Sequence, residues 1–329
     1  MTGIPTTVLV APDSFKGTFT AVEVTAAIAR GLKAAGRPVD ACPVADGGEG
    51  TLEALMGALG GDIVPAQVED PLGRPIEATF ALADGGAVAI VETASASGLG
   101  LVAEGDRDAL AASTRGTGEL IAAAVEAGAR TVLLGVGGSA TTDGGAGAVA
   151  AIRDAGGLGR ARLTILCDVQ TPFADAARVY AEQKGADRDA VRRLTRRLSD
   201  QARRLPRDPR AVAMTGAAGG LSGGLWANFG AELVPGAAFV LDALGFEKRM
   251  RAARAVVTGE GRLDRQSLAG KAVSEVATRS RQAGVPCHAI VGQRRLDAFG
   301  ARILDVQAIL EATTLAEIEA AGAELAAIL

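Results

Sequence analysis

The sequence predicts an α/β protein of two domains, in which a discontinuous parallel-sheet domain carries an inserted second domain. Three observations lead there. At both ends of the chain, short apolar runs rich in β-branched residues alternate with helical patterns, as in parallel sheets crossed by helices. Between those ends, strand-like runs at 62–68, 76–82 and 87–92 follow one another with only turn signals between them, which reads as an antiparallel meander. The length of 329 residues suits two domains. The first domain is expected to take residues 1–60 with 240–329, and the insertion 61–239.

The elements follow in order. Residues 7–11 form an apolar run, expected as a buried strand, and Pro12-Asp-Ser-Phe-Lys-Gly17 is a loop. Thr20-Ala-Val-Glu23 has the spacing of a capping box, and the helix it opens runs to about Ala35, where Gly36 can end it. A strand at 41–45 leads into Asp46-Gly-Gly-Glu-Gly-Thr51 and a helix to about Leu59. After the meander, a helix at 116–127 precedes a central strand that empties into a glycine loop, followed by a helix at 146–155 and a strand at 161–168. An arginine-rich helix is expected at 189–207, with Val191, Leu194, Leu198 and Leu205 on one packed face. Residues 214–224 read as a second glycine-rich loop. Strand and helix alternation then returns, with strands at 255–258, 288–291 and 305–310, a helix at 271–283, and a last helix capped by Thr314-Leu-Ala-Glu317.

Composition excludes several classes. Apolar residues make up 48% and charged residues 22%, which is ordinary for a globular chain. The net charge of −4 argues against nucleic-acid binding. Cys42, Cys167 and Cys287 lie far apart with no CxxC pair, which fits a reduced cytoplasmic protein without a zinc site. Neither a signal peptide nor an apolar run of spanning length is found, so no membrane partner is expected.

The chain is organised around Gly137-Gly-Ser-Ala-Thr-Thr-Asp-Gly-Gly-Ala-Gly147. A strand, a glycine loop and a helix in succession point backbone N–H groups at one spot beside the positive end of the helix dipole. Ser139, Thr141 and Thr142 add hydroxyls, and Asp143 adds a carboxylate suited to Mg²⁺. Read by spacing alone, the stretch fits both a phosphate cradle and a glycine-rich βα turn. Other strand ends carry Asp13, Ser14 and Lys16, then Asp46 and Glu49, Asp168, and Glu260, Arg262 and Asp264, with Lys271 further on. Strand ends of one parallel sheet share an edge, and a cleft between domains is a common ligand site. Cations for phosphates, and carboxylates for Mg²⁺ and for an attacking hydroxyl, together suit phosphoryl transfer. A Walker A loop is missing, and the first β-α unit carries no dinucleotide fingerprint. His288, the single histidine, lies in an apolar run and reads as a strand residue, so a Ser-His-Asp triad is not expected.

Pro12–Gly17, Asp46–Thr51, Gly137–Gly147, Cys167-Asp-Val169, Gln183-Lys-Gly185, Gly216-Ala-Ala-Gly-Gly220 and Thr258-Gly-Glu-Gly-Arg-Leu-Asp264 occur in this order in a chain that resembles a type I glycerate kinase. The resemblance implies one flavodoxin/Rossmann-like domain and one mixed α/β domain. It also implies ATP- and Mg²⁺-dependent phosphorylation of D-glycerate to 2-phosphoglycerate, with the cleft between domains as the expected place. The sequence departs from that pattern at Thr171, where the family has Asn, and at Tyr180-Ala-Glu182, where it has Phe-Gly-Pro.

On this reading Gly137, Gly138, Ser139, Thr141, Asp143, Gly144 and Gly145 cradle the ATP phosphates, together with Lys271. Asp168 and Asp264 are candidates for catalytic base and metal holder in an order left open, and Glu260 joins them at the metal. Lys16 and Arg262 suit the glycerate carboxylate, with Ser14 and Asp46 beside them, and Lys16 also belongs to the catalytic set. The expected partners are D-glycerate and ATP, and the expected state is a monomer or homodimer. A kinase of a related hydroxy acid and a non-catalytic small-anion-binding protein on the same fold are the alternatives.

Overall fold

A computed structural model describes residues 6–167, 169–268 and 270–329. The chain enters through β1 (Val8–Val10) and β2 (Val39–Ala41). It then builds a second sheet from β3 (Asp62–Glu69), β4 (Pro75–Ala83), β5 (Val88–Glu92), β6 (Thr131–Gly135), β7 (Arg162–Cys167) and β8 (Glu232–Pro235). It returns for β9 (Ala255–Leu263), β10 (Cys287–Arg294) and β11 (Ile309–Glu311). The chain divides into two compact units, one ending at Asp46 and resuming over Ala237–Leu329, the other Gly47–Gly236.

The first unit holds a five-stranded sheet in the order β11-β10-β9-β1-β2, every pairing parallel. Counted within the unit, that order is 2-1-3-4-5, the flavodoxin-like winding, with its switch point between β1 and β9. Alternation along the strands supplies two apolar faces. Val8, Val10, Val257 and Ile290 pack against helices Ala21–Ala34 and Leu315–Ala326. Leu9, Val256, Ala289 and Val291 pack against helices Ala272–Ala283 and Phe246–Arg251. Both expected capping boxes form: Thr20 with Glu23, and Thr314 with Glu317.

The second unit holds a six-stranded mixed sheet, β3-β4-β5-β6-β7-β8. The expected meander is antiparallel through β3, β4 and β5, and β5 to β8 are parallel. Its core gathers Phe80, Leu120, Ile121, Leu134, Ile152 and Ile165.

Several expectations need correction. Helix Thr51–Leu59, expected on the near side of the first boundary, packs on β4 and β5 and groups with the second unit. A helix with a short apolar face does not reveal in sequence which sheet it covers. The run expected as a second glycine loop opens helix Ala217–Phe229. Ala218, Gly219 and Gly220 there have left-handed φ of 49°, 65° and 93°, and the regular turns follow them. β11 starts four residues later than expected, because helix Ala298–Leu304 ends on Asp305 at φ 58°. Among the described residues, no helix is long and apolar enough to cross a membrane.

Helices Ala21–Ala34 and Leu315–Ala326 touch through glycine. A Cβ on Gly31 would lie 1.9 Å from the Glu319 carbonyl oxygen, and one on Gly322 would lie 2.7 Å from that of Ile28. Gly31→Ala should therefore destabilise the fold by about 2 kcal/mol in urea unfolding, against the ~1 kcal/mol gain that helix propensity alone favours. A variant as stable as the wild type would show that the helices separate freely.

Candidate functional site

The two units each carry a cluster of functional side chains. In the first unit, the chain leaving β1 stays bonded to β9, with Ala11 N donating to Val257 O and Asp13 N to Gly259 O, both at 2.8 Å. This extension carries Asp13 to the switch point of the sheet. Asp13, Asp46 and Glu260 are all buried there, at 4%, 3% and 6% exposure. The Asp13 carboxylate accepts the Ser14 N–H at 2.7 Å, and Lys16 Nζ donates to Asp46 Oδ2 at 3.0 Å. Glu260 Oε1 and Ser14 Oγ are buried without a hydrogen-bond partner.

Burial first, then the charge of Asp46, holds the Asp13 pKa well above the usual carboxylate range. Burial pushes Glu260 up to about 7, with Ser267, Lys271 and Lys16 acting against the rise and Asp46 adding to it. Carboxylates this dry and crowded favour a proton or a cation.

The other candidates of this unit are differently placed. Asp264 Oδ1 accepts the Gln266 N–H at 2.8 Å, and Oδ2 lies 3.1 Å from Arg262 Nε. Asp264 thus closes its own turn and holds Arg262, as aspartates after strands commonly do. Lys271 is the N-cap residue of helix Ala272–Ala283 and acts electrostatically on Glu260. Asp168 lies outside the described residues. Among the described residues no three His, Cys, Asp or Glu side chains gather as a metal cage. Mg²⁺ is commonly held by one or two carboxylates plus phosphate oxygens, so the buried carboxylates at the switch point still suit it.

In the second unit the glycine loop follows β6 as expected, with Gly138, Gly144 and Gly145 at φ 67°, 65° and 75°. Asp143 does not face outward from it. Its carboxylate accepts Thr114 N (2.9 Å), Thr114 Oγ1 (2.8 Å), Gly145 N (3.0 Å) and Gly147 N (3.1 Å). The N–H groups of Gly145 and Gly147 at the start of helix Ala146–Asp154 are therefore taken by the protein's own carboxylate, which ties the loop to helix Arg115–Glu126.

Two cationic side chains reach this loop, Lys184 and Arg197. Lys184 is buried, and its Nζ donates to Ser139 Oγ at 2.8 Å and Thr141 O at 2.5 Å. No carboxylate pairs with it among the described residues, and burial lowers its pKa to about 7. Thr141 Oγ1 and Thr142 Oγ1 are buried without a partner. From helix Arg188–Ala202, Arg197 donates to Thr142 O (2.8 Å) and Gln201 to Gly144 O (3.0 Å).

Lys184 is not among the site residues that the sequence predicts, although Gln183-Lys-Gly185 is one of its motifs. A lysine inside a motif, flanked by glycine, was the signal. Arg197 lies in the arginine-rich helix, where the sequence pattern does not separate a residue that reaches the loop from its solvated neighbours. The two departures from the family pattern meet: Thr171 Oγ1 and Tyr180 OH are hydrogen-bonded at 2.8 Å.

Asp143→Ala removes the acceptor of four hydrogen bonds, two of them at a helix start. It should cost about 3 kcal/mol in denaturant unfolding whether or not nucleotide is present. A fully stable variant with lost activity would instead assign Asp143 a direct ligand.

The family model described as the glycerate kinase family matches residues 8–160 and 155–327. The glycerate kinase of Halalkalibacterium halodurans is 38% identical over 323 residues, covering 87% of this chain and 85% of that protein. The glycerate 2-kinase of Escherichia coli is 37% identical over 322 residues, covering 87% and 84%. A crystal structure described as glycerate kinase 2 from Salmonella typhimurium LT2 superposes with a TM-score of 0.82 at 33% identity, covering 98% of each chain. The chain belongs to the glycerate kinase family and is a kinase.

Proposed function

We propose that this kinase transfers the γ-phosphoryl group of ATP to the C2 hydroxyl of D-glycerate, giving 2-phosphoglycerate. The observation that carries the reading is Lys184, a buried ammonium with no carboxylate partner among the described residues, set on a glycine loop with two unpartnered hydroxyls. A buried lysine whose pKa falls to about 7 even with the Asp143 charge acting against the fall is drawn to its charged form by an anion, and phosphate oxygens accept from an ammonium and from hydroxyls alike. Ser139, Thr141 and Lys184 are the proposed phosphate contacts.

In the first unit, Lys16 and Lys271 are the cations for the substrate's carboxylate. Glu260, with a pKa near neutrality, is the group to take the hydroxyl proton. Asp13 and Asp46 are the pair to hold Mg²⁺, since a divalent cation relieves the repulsion between them. Mg²⁺ supplies neutralisation of phosphate charge when bound. Three free, buried cysteines agree with a cytoplasmic setting. A preference for another hydroxy acid loses its motive at Thr171, whose hydroxyl is engaged by Tyr180.

Phosphorus NMR with ATP, Mg²⁺ and D-glycerate tests the reading. The expected product is a monoester signal split by a single proton. Splitting by two protons means transfer to C3, and intact ATP with every hydroxy acid tried means a binding protein. Lys184→Met should lose the melting shift given by Mg-ATP and keep the one given by D-glycerate.

Glu260→Gln should lower kcat by about 10²–10⁴ and remove the acid limb near neutral pH. The stability that protonated Glu260 contributes is present below its unfolded pKa and is lost as pH rises through about 7. The Gln variant should therefore melt higher than the wild type above neutral pH, and the gap should close towards acid. Unchanged kcat with an unchanged pH profile would remove Glu260 from the mechanism.

A further inference from the structure

A surface cavity of about 460 Å³ lies in the second unit, along helix Arg188–Ala202. That helix contributes Arg188, Val191, Arg192, Thr195 and Arg196 to it. Their spacing is i, i+3, i+4, i+7 and i+8, which is one continuous stripe of a helix. Arg178, from helix Ala176–Tyr180, and Glu182 complete the lining. Arg197 and Gln201, which hold the glycine loop, are about half a turn round the helix from that stripe. The cavity is therefore separate from the loop, and its volume is that of a small-molecule site.

The stripe is strongly basic in a chain that is not. Residues 187–210 hold nine arginines and four aspartates, while the net charge of the whole chain is −4. Arg188, Arg192 and Arg196 follow one another at i, i+4 spacing, where like charges repel and weaken a helix. Two arginines of the lining meet carboxylates, Arg178 at Asp175 and Arg192 at Asp189, and both pairs are solvent-exposed, where such pairs hold weakly. Among the described residues Glu182 is the one carboxylate in the lining itself. A guanidinium fork matches two phosphate oxygens, and neighbouring arginines of the stripe start about 6 Å apart along the axis, within reach of one phosphate group. Between the charges the lining is carbon, from the half-buried Val191, the Thr195 methyl and the arginine stems. Several cations around an apolar floor call for a molecule with an apolar body and more than one negative charge.

We propose that this cavity is a second, non-catalytic binding site for a small organic phosphate, a phosphate dianion on an apolar body. Arg188, Arg192 and Arg196 hold the phosphate, and Val191 takes the apolar part. The volume of the cavity selects a small molecule over a polymer. The site uses no group assigned to phosphoryl transfer, and the inference does not rest on the substrate proposed above.

The full chain, without nucleotide or glycerate, is titrated with phenyl phosphate at about 0.15 M salt, where diffuse attraction to a charged surface is screened. The readout is the arginine Nε–H region of a proton–nitrogen NMR spectrum, in which the Arg188 and Arg196 signals are those lost in Arg188→Gln and Arg196→Gln. These signals report the cavity whatever the glycine loop binds. The expected result is a saturable shift of both, with inorganic phosphate binding about tenfold more weakly because it leaves the apolar floor uncovered. Arg196→Gln should weaken phenyl phosphate by about tenfold, read at the Arg188 signal. Arg203→Gln, at the end of the same helix and outside the cavity, should leave the affinity unchanged. Signals unmoved at millimolar phenyl phosphate, equal affinity for inorganic phosphate, or an equal loss in Arg203→Gln each overturn the proposal and leave a solvated basic surface. The measurement reads no catalysis, so its outcome is independent of the kinase assay.

Discussion

The second unit depends on how its glycine loop is held. Glycine loses more conformational freedom on folding than any other residue and brings no side chain to pack. A loop built from it must be ordered by hydrogen bonds. Lys184, Arg197 and Gln201 take the carbonyls of Thr141, Thr142 and Gly144, and the Asp143 carboxylate gathers N–H groups from both sides of the loop. A third surface closes from behind, where a Cβ on Gly219 would meet Thr141 O at 2.0 Å. The left-handed Ala218 beside it is a conformation that costs energy in a non-glycine residue. The result is a loop whose shape is set before a ligand arrives, which reduces the ordering cost of binding.

The first unit solves a different problem with its topology. Asp13 and Glu260 are far apart in sequence, yet β1 and β9 are neighbours and the Asp13 N–H bonds to Gly259 O. The switch point of a 2-1-3-4-5 sheet is where neighbouring loops diverge and leave a crevice. Filling that crevice with buried carboxylates is unfavourable, since Asp46 and Glu260 raise the proton affinity of Asp13 and Asp46 raises that of Glu260. Lys16 offsets part of this, paired to Asp46 from a half-exposed position. The arrangement spends stability on a site whose occupants are cationic or protic.

What could be read from the sequence was local. The capping boxes, the meander and the strand entering the glycine loop rest on spacing over a few residues, and all of them form. What could not be read was tertiary. Helix Thr51–Leu59 follows a β-α-β pattern that is the same whichever sheet it covers. Helix Ala217–Phe229 is rich in glycine and reads as loop, but Gly220 and Gly223 admit the Phe173 ring and Gly224 admits the Gly144 carbonyl, and packing overrides propensity. Asp143 and Asp264 have the residue type of metal ligands, and both have their oxygens engaged within the protein, Asp143 by Thr114, Gly145 and Gly147 and Asp264 by Gln266 N and Arg262. Lys184 has the residue type of a surface lysine and is buried. Residue type and spacing name the chemistry available, but burial and partners decide which residue performs it.

The pairing of Thr171 with Tyr180 shows how a departure from a pattern should be weighed. Taken singly, Thr in place of Asn removes an amide from a loop expected near the substrate, and Tyr in place of Phe adds a hydroxyl to a helix end. Taken together, the two changes supply a donor and an acceptor to one bond of 2.8 Å. Neutral hydrogen bonds add about 1 kcal/mol when made. That bond anchors residue 171 to the short helix Ala176–Tyr180. A hydroxyl already committed to Tyr180 is poorly placed to define a new substrate, so the divergence at these positions preserves a local support more than it redirects the chemistry.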